Sequence, residues 1–128
     1  MHPFFSRLRQ SVVLTAAAIA AAPAAWAHHS FAMFDATQTL TVQGTVKELQ
    51  WSSPHTWLEL TVKDQSGAEK PLSLELNGIS GLRQVGWTPT TLKPGDKVNL
   101  TYHPMRDGTP AGELMTLVTE DGRTLKGR

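Results

Sequence analysis

Between residues 40 and 119, apolar side chains recur at every second position in five separate runs, each bounded by turn-forming residues. A period of two places alternate residues on opposite faces of a strand, so the pattern commits the chain to a β architecture with one face buried. In the first run Leu40, Val42 and Val46 share one parity with Gly44 between them, whereas Leu49 and Trp51 fall on the other. That switch predicts one long strand with a bulge near Lys47 and Glu48 and a bend at Gly44. Ser52-Ser53-Pro54-His55 interrupts it as a loop, because proline cannot donate to a ladder. Leu58, Leu60 and Val62 then alternate in a second strand, Asp64 to Gly67 makes a turn, and Leu72, Leu74 and Leu76 form a third. Glu59, Glu75 and Glu113 point outward in this alternation and read as a solvated face.

The period changes once. From Gly78 to Gly86, Ile79, Leu82 and Val85 recur at three-residue spacing and Gly86 stands where a helix C-cap belongs, which predicts a short helix with Trp87 packed under the sheet. Leu92-Lys93-Pro94-Gly95-Asp96 is a turn that launches a fourth strand through Val98, Leu100 and Tyr102. His103 to Pro110 reads as a second proline-bounded loop and Glu113 to Thr119 as the fifth strand. A last hairpin over Asp121-Gly122 returns Thr124-Leu125. Five strands with a helix between the third and fourth is the order of an OB-fold, an all-β, partly open five-stranded barrel. An open β-sandwich or roll is the alternative. In an OB barrel the loops after strands one and four border one binding face, and here they would hold His55 and His103.

The first residues carry the marks of a cleavable export signal. Arg7 and Arg9 precede an apolar run from Ser11 to Ala22, Pro23 breaks it, and Ala25 and Ala27 supply the small residues a signal peptidase requires. The apolar run is shorter than the ~20 residues that span a bilayer. The expected organisation is a signal over 1–27, an N-terminal arm over 28–39 and a barrel over 40–128, periplasmic and without membrane attachment after cleavage. Cysteine is absent, which removes disulfides, thiolate metal sites and cysteine nucleophiles. The 12 Lys and Arg nearly balance 11 Asp and Glu, and two of the basic residues lie in the signal. A near-neutral mature chain lacks the attraction to phosphate that nucleic-acid binding needs.

Cleavage after Ala27 would make His28 the first residue, with its α-amino group beside its imidazole and His29 directly after it. Imidazole suits copper, zinc and nickel, and tetragonal nitrogen sites favour Cu(II). The expected metal site is His28 with its amine, His55 and His103, with His29 auxiliary and Met105 as a thioether ligand. Trp51 and Trp57 flank the first loop and are candidates to wall a ligand groove. The competing reading is metal-independent. There the rim histidines satisfy nearby carbonyls, and the barrel is an adaptor for a small ligand, a peptide or a periplasmic partner. Gly78-Ile79-Ser80-Gly81 lacks a nucleophile-elbow spacing and no glycine-rich loop cradles phosphate, so the expectation is a binding protein and not an enzyme.

HHSFAMFD from His28, WSSPHTWLEL, GLRQVGWTPTTLKPGDKV and YHPMRDGTPAG together resemble a family of small exported proteobacterial proteins classed as a domain of unknown function. The resemblance covers nearly the whole mature chain. It implies one exported domain that carries the paired histidines, with no catalytic residue to transfer.

Overall fold

The computed structural model describes residues 33–128; the expected signal, His28, His29 and Phe31 lie outside the described residues. The elements are β1 (Leu40–Gln50), β2 (Trp57–Lys63), β3 (Glu69–Glu75), α1 (Ile79–Gln84), β4 (Lys97–Pro104), β5 (Ala111–Thr119) and β6 (Thr124–Lys126). The strands run β3-β2-β1-β4-β5-β6, and β3 also pairs in parallel with β5. That extra pairing closes five strands into an OB-like barrel with β6 as a hairpin on β5.

β1 makes closure possible because two partners share it. Leu40 to Thr45 pair with β4 and Gly44 to Gln50 with β2, and the register skips between Val46 and Glu48. Lys47 is therefore the extra residue of a bulge, which increases local twist and lets the strand coil. A Cβ on Gly44 would meet Val62 Cγ1 at 3.3 Å, so the bend is packed tightly from inside. The paired row from Gln50 through Trp57, Glu75, Glu113 and His103 returns to β1 beside its first residue, Leu40, which pairs with Tyr102. A row that comes back about ten residues out of step means steeply tilted strands, as a narrow barrel demands.

The inward faces supply the core: Val46, Leu58, Leu60, Leu72, Leu74, Leu76, Val98, Leu100, Leu114 and Leu117 are all buried. α1 stoppers one end with Leu82 and stops in a Schellman arrangement. Gly86 takes φ 95°, a conformation that suits glycine. Its N–H donates to Arg83 O at 3.3 Å and that of Trp87 to Leu82 O at 3.0 Å. Trp87, 1 % exposed, then enters the core, and its indole N–H donates to Lys126 O at 2.8 Å. The turn before β4 has Gly95 at φ 93°; Gly95 N–H donates to Val46 O and Val46 N–H to Asp96 O, both at 2.8 Å. The turn is thus pinned to the bulge.

One sequence expectation fails here. His103 and Pro104 belong to β4, not to a loop: they pair with Glu113 and Gly112. β5 accordingly begins at Ala111, two residues before the expected start. Proline is tolerated because it is the last residue of the strand and needs only its carbonyl, which accepts Asp35 N–H at 2.8 Å.

Trp87→Phe keeps the apolar volume and leaves the Lys126 carbonyl without its indole donor, so urea unfolding should show a loss of about 1–2 kcal/mol. Trp87→Ala adds a cavity and should cost about 3–5 kcal/mol. A Trp87→Phe variant as stable as the wild type would mean that the indole N–H is not bonded in the folded chain.

Candidate functional site

The rim beyond β1 and β4 carries the chemistry, and three segments build it. The first is the β1–β2 loop. Ser52 Oγ–H donates to His55 O at 2.6 Å and Thr56 Oγ1–H to Ser52 O at 3.1 Å. Thr56, fully buried, also gives its N–H to Asn77 O at 3.2 Å and accepts Leu76 N–H at 2.8 Å. Gly78 lets the loop sit directly on the start of α1, because a Cβ there would lie 2.6 Å from Pro54 O. The loop, with its cis Ser53–Pro54 bond, is held at both ends.

The second segment is the arm. Phe34, 3 % exposed, bridges to Met105. Arg106 N–H donates to Met33 O at 2.9 Å. Asp35 ties the arm into a knot, accepting the Thr37 hydroxyl at 2.6 Å, the Thr37 amide at 3.1 Å and the Gln38 side-chain amide at 2.8 Å. Those hydrogen bonds, the Thr37 hydroxyl foremost, hold its carboxyl below its ordinary 3.8. The arm ends with Gln38 O 2.7 Å from His103 Nδ1. A carbonyl can only accept, so Nδ1 carries the hydrogen and a neutral His103 keeps its lone pair on Nε2.

The third segment is the chain end. β3 and β5 pair Glu75 with Glu113, and both are buried, at 4 % and 8 % exposure. The sequence expectation of a solvated glutamate face is wrong for these two. Arg128 covers them, with Nη2 2.9 Å from Glu75 Oε1 and Nε against Glu113 Oε1. His55 Nδ1 lies 3.1 Å from the same Glu75 oxygen, but out of line for a directed hydrogen bond. At that distance the contact is electrostatic, and it still turns the ring so that Nδ1 faces the carboxylate.

His55 and His103 therefore share a rim. His55 abuts Glu75, and His103 lies two strands along the row through Glu113, so the Glu75 and His103 backbones are about 10 Å apart. Trp51 and Trp57 are half-buried, Trp51 against the core. Met105 is half-buried beside Phe34. His28 and His29 lie outside the described residues. Among the described residues, no group of three or more His, Asp or Glu side chains could hold a metal ion. The sequence reading missed Glu75, Glu113 and Arg128 as one charge cluster, and it missed a polar groove of about 690 Å³ on the outer wall, lined by residues that include Thr41, Gln43, Thr45 and Asn99.

The chain belongs to a family of unknown function (DUF6152), which it matches over residues 16–114. Comparison with curated proteins and with solved structures gives no match.

Arg128→Ala strands two neighbouring buried carboxylates. Full burial of a broken pair costs about 3–5 kcal/mol. With 23 % of the Arg128 side chain exposed, the expected loss in urea unfolding is about 2–3 kcal/mol. Adding Glu113→Gln should recover part of it, and an unchanged midpoint in the single variant would show that the cluster does not exist in solution. A depressed carboxyl pKa adds stability above the ordinary pKa, and that contribution is lost as the pH falls through the lower folded value. The Thr37 amide resonance, followed by NMR, should accordingly titrate with a midpoint below 3.8. A midpoint at or above it would mean that the arm is not knotted.

Proposed function

We propose that this member of the DUF6152 family is an exported, periplasmic copper-binding barrel, which holds its ion through the new N-terminus and the rim histidines and carries metal without turning over a substrate. The observation that carries the reading is the orientation of the two rim rings. His103 Nδ1 is hydrogen-bonded to Gln38 O, and His55 Nδ1 is turned toward Glu75 Oε1 at 3.1 Å without a directed hydrogen bond. A ring fixed in this way presents Nε2 as the ligand, and metal-binding histidines commonly have such an outer partner.

Chain geometry supports the rest. The arm is bonded to β4 and the β4–β5 turn through Met33, Phe34 and Asp35, and His29 is four residues upstream of Met33. Four residues span at most about 14 Å and the five from His28 at most about 18 Å, so the chain is long enough for the paired histidines to reach the His103 side of the rim. Cleavage after Ala27 would give His28 a free amine, which becomes a nitrogen donor once it loses its proton, as α-amino groups ordinarily do near pH ~8. Met105, two residues beyond His103, is a soft donor suited to Cu(I).

The experiment is a Cu(II) titration of metal-free mature protein. Mass spectrometry should first show His28 as its initial residue. An extra N-terminal Gly should lower Cu(II) affinity at least about tenfold, and His103→Ala by about 10–100-fold. Equal affinity in all three proteins would leave an unspecific histidine tail and favour the metal-independent adaptor.

A further inference from the structure

The outer wall holds a concavity that the rim chemistry does not use. It lies where β1 changes partner, over Gly44 and Thr45, both of which pair with β2 on one side and β4 on the other. The coil of β1 curves the wall there into a groove of about 690 Å³, within the size range of small-ligand sites. Its floor is a grid set by register. Thr61, Thr45 and Lys97 form one row across three strands, and Gln43 and Asn99 form the next, with Thr41 beyond. Neighbouring rows of side chains on one face stand about 7 Å apart and neighbouring strands about 4.8 Å.

The grid is mostly polar, with Val118 beside Asn99 as its apolar edge. Thr41, Gln43, Thr45, Thr61 and Asn99 offer hydroxyls and amides, and none of these side chains has a hydrogen-bond partner among the described residues. The charges at the margins cancel. Lys63 pairs in register with Glu69 on one flank, and Lys97 stands next to the Val98–Thr119 pair that precedes Glu120 on the other. A lining without net charge gives no grip on phosphate or on a strongly ionic ligand. Nor is there an apolar pocket to seat side chains, as recognition of an extended peptide requires. What fits is a neutral molecule dense in hydroxyls along its length.

We propose that this groove binds a neutral polyhydroxylated chain, an oligosaccharide, through Gln43 and Asn99 at its centre and the threonine hydroxyls around them. The proposal is independent of the metal reading, since Asn99 and His103 are four residues, about 13 Å, apart along β4. Among the described residues the groove has no aromatic ring to stack on a sugar, so hydrogen bonds carry most of the contact and the affinity is on the order of millimolar.

The test is an NMR titration of the isotope-labelled protein with maltohexaose, repeated with chitotetraose, up to about 20 mM. Amide shifts should concentrate at Gln43, Thr45, Thr61 and Asn99 for at least one of the two sugars. Gln43 and Asn99 are exposed, so Gln43→Ala and Asn99→Ala should keep the wild-type melting temperature while weakening binding at least fivefold. A hydrophilic hexapeptide of Gly, Ser and Thr should leave these amides unmoved. No shift with either sugar, shifts confined to other surfaces, unchanged binding in both variants, or equal binding of the peptide would each overturn the proposal.

Discussion

Closing a five-stranded barrel requires β3 and β5 to lie side by side in parallel, and that pairing sets Glu75 directly against Glu113. Like charges opposite one another on one sheet face are destabilising, and more so when water is excluded. The fold answers with one guanidinium. Arg128 lies against both carboxylates, and the residue before it fixes its place: Gly127 N–H donates to Met115 O at 3.0 Å and Gly127 O accepts Asn77 N–H at 2.8 Å. The last residues are therefore part of the closure. They carry Lys126 O to the Trp87 indole and Arg128 to the seam, so the core stopper and the charge cluster share one short segment.

The same seam positions the rim. Glu75 meets His55 on one side, and Glu113 is the cross-strand neighbour of His103 on the other. A carboxylate pair brought together by closure thus has a second consequence, because it stands between two imidazoles that come from distant parts of the chain. The arm completes the rim by a separate device. Phe34 is buried by contact with the β4–β5 turn, and Asp35 uses short-range hydrogen bonds to hold the following residues in a shape that offers Gln38 O to His103. His103 is oriented by local knotting and His55 by long-range closure.

That division explains what the sequence could disclose. The Lys47 bulge, the Pro94-Gly95 turn, the α1 stop at Gly86 and the Asp121-Gly122 hairpin are all legible, because each depends on neighbours within a few residues: a parity switch, a positive-φ position, a turn pair. The barrel order follows from those elements taken together. Burial of Glu75 and Glu113 was not legible. Outward parity on an alternating strand signals solvent unless something covers that face, and the cover is 53 residues from Glu75 in sequence. His103 was misplaced for a related reason. Pro104 looks like a strand breaker locally, and nothing in the local sequence shows that its carbonyl would be used by an arm docked from before β1.

The rim and the groove also differ in how their side chains are spent. At the rim, His55, Glu75 and Arg128 lie against one another, His103 bonds the Gln38 carbonyl and Asp35 accepts from Thr37 and Gln38, and the loops that carry them are cross-bonded. On the wall, Gln43, Asn99 and the threonines are placed by strand pairing, and among the described residues their side-chain polar atoms have no hydrogen-bond partner. For the ion proposed above, a fixed ring orientation counts most. A grid of free hydroxyls and amides on a stiff sheet suits an extended polar ligand, whose many weak contacts add up only if the backbone beneath does not move. Gln43 and Asn99 are directly paired across β1 and β4, two strands whose core faces hold Leu100 and Val46. The wall is therefore backed by the barrel's interior packing, whereas the rim depends on a knot and a salt cluster that solution conditions can loosen.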